Sequence, residues 1–274
     1  MHYNTTAKLY ADDLKLYATI DINSDVNSLQ RSLDIIYRWS LEWQLSISFQ
    51  KCCIFILNVN LRTDFNYSYV FKLGNIPLEY KNNVRDLGIV VDSKLNFSDH
   101  IAEITTRAHQ RANLILRCFQ TKNPKLQLQA FKTYVRPLLE HNSQIWSPLT
   151  LAEITKIEKV QKRFTKRIPG LFDMSYYRRL QTLNIESLEL RRLRADLTMT
   201  YKILFNHTGM NYNNFWSLQK NSYLNLRSHE FQIKPIHTFK TVRSDRCFFN
   251  RVINIWNSLP SNTDFSSIKN SLTA

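Results

Sequence analysis

The hydrophobic pattern divides the chain into a mixed first part and a helical remainder. Two short β-prone runs flank Ala11-Asp12-Asp13, which predicts a hairpin with an acidic turn. Apolar residues then recur at helical spacing over residues 29–43, after candidate N-cap residues Ser24 and Asp25. Residues 45–58, 67–73 and 86–92 are β-branched and aromatic, which predicts strands, the last of them carrying one glycine. We therefore expect an α+β fold for this part.

Beyond residue 97 the helical period persists. The apolar spacing predicts helices over residues 101–119, 126–138, 151–168 and 188–205, and a short helix at 248–259. Pro169-Gly170 ends the third helix, because proline cannot continue it and glycine accepts positive φ. The boundaries predicted from these patterns are 1–96, 97–170 and 171–274, with the role of residues 206–274 left open.

Charge sharpens this division. The chain has 274 residues, 37 Lys+Arg and 22 Asp+Glu, and a formal net charge of +15. Residues 1–100 hold 10 basic and 11 acidic side chains, whereas residues 101–202 hold 19 and 8. A basic segment of this kind attracts polyanions, either nucleic acid or an anionic membrane surface.

Several classes of protein are disfavoured. With four glycines and neither GxxxxGK[ST] nor GxGxxG, the chain lacks a P-loop or Rossmann nucleotide site. The four cysteines form no CxxC pair. Neither an apolar signal core nor a run of 18 apolar residues occurs. The sequence thus predicts an intracellular protein without a membrane partner, and does not distinguish nucleus from cytoplasm.

The motif Tyr10-Ala11-Asp12-Asp13 carries the clearest chemistry. Two adjacent carboxylates on a tight turn supply oxygen ligands of the kind that Mg²⁺ prefers, as a phosphoryl-transfer centre requires. The alternative interpretation is ordinary solvated turn chemistry.

Beyond this motif, the chain resembles the reverse transcriptases of non-LTR retrotransposons, in particular the Jockey-like group. That family has a (Y/F)ADD box in its palm, and further segments match in the family's order. They are ADDLKLY at 11–17, residues 29–43 and 45–52, RDLGI at 85–89, YVRPLLEH at 134–141, IWSP at 145–148, IEKVQKRFTK at 157–166, and residues 178–180, 190–192 and 201–202. The resemblance covers most of the chain up to about residue 205.

The resemblance implies a partial palm at 1–96, a helical thumb-like segment at 97–170 and a helical post-thumb region at 171–274. It implies that Asp12 and Asp13 are catalytic carboxylates that bind Mg²⁺, and that Tyr10 packs beside the primer terminus. Lys51 matches the palm lysine near the incoming triphosphate, although a solvated strand-end lysine is the alternative. Leu87-Gly88 matches the hairpin that grips the primer. The implied partners are an RNA template and a DNA primer, with a deoxynucleoside triphosphate in a complete enzyme.

Two departures from the family matter. Ser48 stands where the family usually has asparagine. Only nine residues precede Tyr10, whereas a complete enzyme carries fingers and a first palm strand with another metal-binding aspartate. Asp21 cannot replace that aspartate, because at strand spacing it would lie roughly 25 Å from the turn. The expected protein is a truncated RNA-directed DNA polymerase that is inactive alone and self-associates through an exposed sheet edge.

The basic helices suggest a function from another class. Cations recur along the helix that contains an apolar stripe of Ile157, Val160 and Phe164. The candidate phosphate contacts are Arg107, Arg111, Lys159, Lys162, Arg163, Lys166 and Arg167. The chain could therefore be a non-enzymatic nucleic-acid-binding remnant. The other interpretations are a solvated helix face and a degenerate element copy without function.

Overall fold

The computed structural model describes residues 5–57, 69–118, 123–148, 150–219, 229–236 and 247–266. Two compact units, residues 1–96 and 97–274, make up the chain. Helices and small sheets occur together, which confirms the predicted α+β class. The predicted residues Asn58, Tyr67 and Phe119 lie outside the described ranges.

The first unit begins with the predicted hairpin. Strands β1 (Thr5–Tyr10) and β2 (Asp13–Ala18) pair antiparallel, with Tyr10 opposite Asp13. Helix α1 (Asn23–Glu42) follows and is longer than the apolar spacing predicted. It begins one residue before the expected cap, because the Asp25 carboxylate accepts the Asp21 and Ile22 N–H groups from within the first turn.

The remaining strands of the first unit are shorter than predicted. Within the described part of 45–58, residues Phe49–Lys51 form a 3-10 turn, and Cys53–Phe55 are the residues that form a strand. The strands are β3 (Cys53–Phe55), β4 (Lys72–Leu73), β5 (Ile76–Pro77), β6 (Glu79–Lys81), β7 (Asn83–Asp86) and β8 (Ile89–Asp92). The single strand predicted at 86–92 is wrong, because Leu87 and Gly88 have positive φ and turn the chain between β7 and β8.

A small apolar core supports these elements. Val26 of α1 packs with Phe71, Leu73 and Leu78, which are all buried. Helix α1 therefore covers the β4–β5 hairpin, and burial of this apolar surface stabilises the unit.

The second unit is mainly helical. Its described elements are α2 (Ser98–Cys118), α3 (Pro124–Tyr134), α4 (Arg136–Glu140), α5 (Ser143–Trp146), α6 (Leu151–Lys166), α7 (Tyr176–Leu183), α8 (Leu188–Leu204), β9 (Trp216–Leu218), β10 (Ile233–Pro235) and α9 (Phe248–Asn257). The helix predicted at 126–138 is divided at Val135, since Pro137 has no N–H to donate to the carbonyl of Thr133 in the preceding turn. Helix α7 was not predicted.

Two groups of buried side chains hold this unit together. Ile101 and Ala108 of α2 and Ile157 and Val160 of α6 are buried along the contact of these two helices. Around Trp216, α8 and α9 enclose a second core with the β9–β10 pair. In the described part of the chain, no helix is long and apolar enough to cross a membrane.

Candidate active site and nucleic-acid interface

The acidic hairpin presents its carboxylates to solvent. Tyr10 and Asp13 close a two-residue turn made by Ala11 and Asp12, and all four residues are exposed. Ala11 has φ of 51°, in the left-handed region that residues with a Cβ seldom adopt. Thus the register of the hairpin puts the two consecutive carboxylates at its tip.

The donor chemistry of this turn fits part of a magnesium site. Carboxylate oxygens suit Mg²⁺, but two metal ions about 4 Å apart need carboxylates that clamp them from several sides. Within the described residues, no group of three or more His, Cys, Asp and Glu side chains could hold a metal ion. Asp25 is engaged instead in capping α1. Asp12 and Asp13 alone therefore do not complete a two-metal centre.

An ion pair joins the acidic hairpin to the β7–β8 hairpin. Lys15 of β2 donates to the Asp86 carboxylate at the end of β7, 71 positions along the chain. Asp86 immediately precedes Leu87-Gly88, whose φ values of 45° and 87° are those of a tight two-residue hairpin turn. The two matched motifs are thus neighbours in one unit, which their separation in sequence does not show.

Lys51 stands on a different element from the carboxylates of the acidic turn. It ends the 3-10 turn Phe49–Lys51 and is exposed, rather than standing on a strand. Among the described residues, no ion pair within 4.0 Å joins Lys51 to Asp12 or Asp13. Its role near a triphosphate stays a prediction.

Helix α6 carries a cationic outer face. The predicted apolar stripe is buried, with Ile157, Val160 and Phe164 no more than 1 % exposed. The opposite side of the helix is solvent-exposed and basic. Its exposed cations are Lys156, Lys159, Arg163 and Lys166, continued by Arg167 just beyond the helix. Lys162 is half-buried and lies 5.2 Å from the centre of the Tyr176 ring.

Helix α2 contributes His109 and Asn113 beside this face. The pKa of His109 is lowered, first by burial and then by the positive charges of Arg163 and Lys159. Arg167 donates to the Asn113 side-chain oxygen at 3.0 Å. The cationic face of α6 therefore borders one flank of α2.

The other predicted cations of α2 lie elsewhere. At 3.6 residues per turn, Arg107 and Arg111 are each about 160° around the helix from His109. Arg107 also pairs with Glu103 at 3.4 Å. These two arginines thus occupy the opposite flank of α2 from the one that meets the α6 cations.

A buried network beneath α6 was not predicted. Glu158 contacts the Tyr176 hydroxyl and accepts the N–H groups of Leu188 and Glu189 at 3.2 Å each. Burial, followed by this hydrogen bond to Glu158, raises the pKa of Tyr176. Buried Arg179 donates to the carbonyls of Met174 at 2.6 Å and Lys162 at 3.2 Å. The only signal in the sequence was an acidic residue at a core position of a basic helix.

Comparison with known proteins gives three informative relatives. A probable RNA-directed DNA polymerase from transposon BS of Drosophila melanogaster is 27 % identical over 64 % of this chain, and the RNA-directed DNA polymerase from the Drosophila mobile element jockey is 25 % identical over 59 %. An uncharacterised Caenorhabditis elegans protein is 32 % identical over 45 % of the chain and 64 % of its own length.

The matched region spans 19 % and 18 % of the two Drosophila polymerases. No family model matches the chain, and no solved structure is significantly similar to it. The relatives confirm the resemblance found in the sequence motifs.

Proposed function

Since the chain is a relative of the RNA-directed DNA polymerases of Jockey-like non-LTR retrotransposons, we propose that it corresponds to the part of such an enzyme that bears the acidic hairpin and the helices after it. In this proposal residues 1–96 are palm-like, and the helical unit that follows supplies thumb-like and post-thumb segments. The observation that supports the proposal is the Lys15–Asp86 ion pair, which joins the hairpin that carries the ADD turn to the hairpin that carries Leu87-Gly88.

Asp12 and Asp13 would hold Mg²⁺ in the complete enzyme, where the metal would neutralise charge on the transferring phosphate. Lys51 would lie near the triphosphate, and Tyr10, Leu87 and Gly88 beside the primer. The 274-residue polypeptide alone would not extend a primer, because one adjacent carboxylate pair does not clamp two metals.

Primer extension tests this last point. The chain is incubated with Mg²⁺, the four deoxynucleotides and a DNA primer on an RNA template, in parallel with Asp12→Asn. We expect each protein to bind the primer–template without extending the primer. Product from the unaltered chain that is lost in Asp12→Asn would overturn the proposed inactivity and establish Asp12 as catalytic.

The carboxylate role has a separate test that needs no activity. Titration with Mg²⁺ should shift the amide NMR signals of Ala11, Asp12 and Asp13, and Asp12→Asn should abolish the shifts. Asp21→Asn is the matched control, because Asp21 lies three residues beyond the end of β2 that is far from the turn, and the substitution should leave the shifts unchanged. Shifts that survive in Asp12→Asn would contradict metal binding at the turn.

The second candidate function is nucleic-acid binding by the helical unit without catalysis. The exposed cations of α6 favour it, because each phosphate contact releases a counterion. Arg163→Gln should reduce the slope of log affinity against log salt by about 1. Arg31→Gln removes the same charge at an exposed position of α1 and should leave the slope unchanged. Equal slopes for Arg163→Gln and the unaltered chain would exclude this face.

A further inference from the structure

A cavity of about 480 Å³ opens where α6 ends. Its wall comes from the last turn of the helix and from the chain that follows. The lining residues are Arg163, Lys166, Arg167, Ile168, Pro169, Gly170 and Phe172. Ile168 and Leu171 are 1 % and 5 % exposed, so they anchor this turning segment in the core.

The cavity is cationic. Three of its lining side chains are Arg163, Lys166 and Arg167, and no carboxylate lines it. Within the described residues, none of these three cations has an ion-pair partner within 4.0 Å. One Arg167 nitrogen is held by Asn113 at 3.0 Å, which fixes that guanidinium at the rim. Guanidinium groups donate several N–H bonds and suit phosphate oxygens.

An exposed aromatic ring stands among these cations. Phe172 is 66 % exposed, although it lines the cavity, and the Lys166 ammonium lies 4.9 Å from its ring centre. A scattered surface phenylalanine needs no explanation. Here, however, a π surface and several phosphate-binding groups share one cavity, which is the combination that binds unpaired nucleotides.

Hydrogen bonds from a buried arginine hold the wall of the cavity in place. Buried Arg179 joins the carbonyl of Met174, two residues after Phe172, to the carbonyl of Lys162 on α6, and its Nε donates to Thr165 at 3.2 Å. The segment that presents Phe172 is thereby tied at both sides to the helix that presents the cations. A preformed arrangement reduces the entropy lost on binding.

We propose that this cavity binds one unpaired nucleotide of single-stranded nucleic acid, with the base stacked on Phe172 and the adjoining phosphates on Arg163, Lys166 and Arg167. The proposal rests on the nucleic-acid binding proposed above and names the strand state that this part of α6 selects. Duplex nucleic acid could use the same cations, but its bases are already stacked and would not reach Phe172.

The test measures affinities of the full chain by fluorescence anisotropy. The probes are a labelled dT12, a labelled strand of the same length in which every nucleotide is abasic, and a 12-base-pair DNA duplex. We expect Phe172→Leu to weaken dT12 binding about tenfold, as loss of one base–aromatic stack would. Binding of the abasic strand and the duplex should not change. The unaltered chain should bind the abasic strand more weakly than dT12 by a similar factor, without any substitution.

Two controls separate stacking from charge. Tyr177→Leu removes a ring that is 71 % exposed on α7, outside the cavity, and should leave all three affinities unchanged. Arg163→Gln should weaken all three probes together. Circular dichroism melting establishes that each variant folds.

The outcomes distinguish this proposal from the preceding one. If Phe172→Leu binds dT12 as the unaltered chain does, or weakens duplex and abasic binding equally, the stacking site is refuted while nucleic-acid binding stands. If the unaltered chain binds none of the probes, both proposals fail.

Discussion

At the scale of single residues, one buried ion pair dominates the second unit. Arg251 of α9 donates to both Asp196 oxygens, at 2.9 and 3.0 Å, and to the Gln144 carbonyl at 2.8 Å. The two side chains are only 10 % and 7 % exposed. Because an unpaired charge at such depth is strongly disfavoured, the pair secures α9 against α8.

We expect Arg251→Met to lower the free energy of unfolding of the second unit by about 3–5 kcal/mol at pH 7. Urea unfolding followed by tryptophan fluorescence measures this. Arg194→Met is the matched control on α8, because its partner Glu186 is half-buried and Arg194 itself is 50 % exposed. That loss should stay below about 1 kcal/mol.

The loss should depend on pH. Burial raises the pKa of Asp196, although the hydrogen bond and charge of Arg251 oppose the shift. A raised pKa means that the group's stabilising contribution is full below its unfolded pKa and is lost as pH rises through the folded one. Removing Arg251 raises that pKa further, so the deficit of Arg251→Met should shrink as the pH is lowered. A deficit equal at pH 7 and pH 5 would contradict this account.

At the scale of elements, the turn between β7 and β8 is the most informative. Both of its residues have positive φ, yet only Gly88 is suited to that region by its lack of a Cβ. Leu87 occupies a position where hairpins of this type favour asparagine or aspartate. Gly88 therefore suits the conformation of this turn, whereas Leu87 does not.

Substitutions at the two positions of this turn should change the free energy of unfolding in opposite directions. Leu87→Asn should stabilise the first unit by up to about 1 kcal/mol, and Gly88→Ala should destabilise it by about 1–2 kcal/mol. Chemical unfolding of each variant measures both effects. If Leu87→Asn destabilises the unit, the remaining contacts of the leucine side chain, which is 42 % exposed, outweigh the backbone strain, and the stated reason is wrong.

Local pattern predicted the elements whose own residues determine them. Helix α6 followed from the spacing of Ile157, Val160 and Phe164, and the β1–β2 hairpin from its acidic turn. The prediction failed where residues distant in sequence determine the local secondary structure. Residues 45–52 lack a strand because extension requires a partner, and only Cys53–Phe55 finds one, in β6. Helix α7 has an apolar stripe of Tyr176, Leu180 and Leu183, but this stripe spans only eight residues, which is too short a window for the helical period to be distinguished.

The sequence predicted individual residues of the candidate site but not how they are arranged in space. Asp12 and Asp13 were found from their residue type and turn, and the α6 cations from their spacing. The Lys15–Asp86 ion pair and the separation of Arg107 from Arg163 depend on tertiary packing. Phe172 was missed because a lone aromatic residue after a helix has no periodic signal.

At the scale of the whole molecule, the first hairpin leaves a strand edge open. In the described part of the chain β1 pairs with β2 alone. Leu9 and Tyr10 on this hairpin are 71 % and 66 % exposed. An apolar, unpaired edge is a template for another strand. The chain should therefore self-associate as its concentration rises.

Leu9→Lys should reduce this self-association, because a charge on an edge strand opposes pairing. Sedimentation velocity over a range of concentrations measures it. Leu114→Lys is the matched control, since Leu114 is an exposed leucine on α2. A chain that stays monomeric throughout, or equal effects of the two substitutions, would contradict association through the hairpin.

Under the proposed function, the Lys15–Asp86 ion pair also affects how a salt titration of the complete enzyme would be interpreted. The two side chains are 29 % and 37 % exposed, so dissolved ions screen their attraction. Rising salt would therefore loosen the connection between the two hairpins while it also displaces nucleic acid. Loss of activity at high salt would then have two causes, the weakened contact between the hairpins and the dissociation of nucleic acid. A Lys15→Met, Asp86→Leu double variant would separate these causes, because it removes the salt-sensitive ion pair.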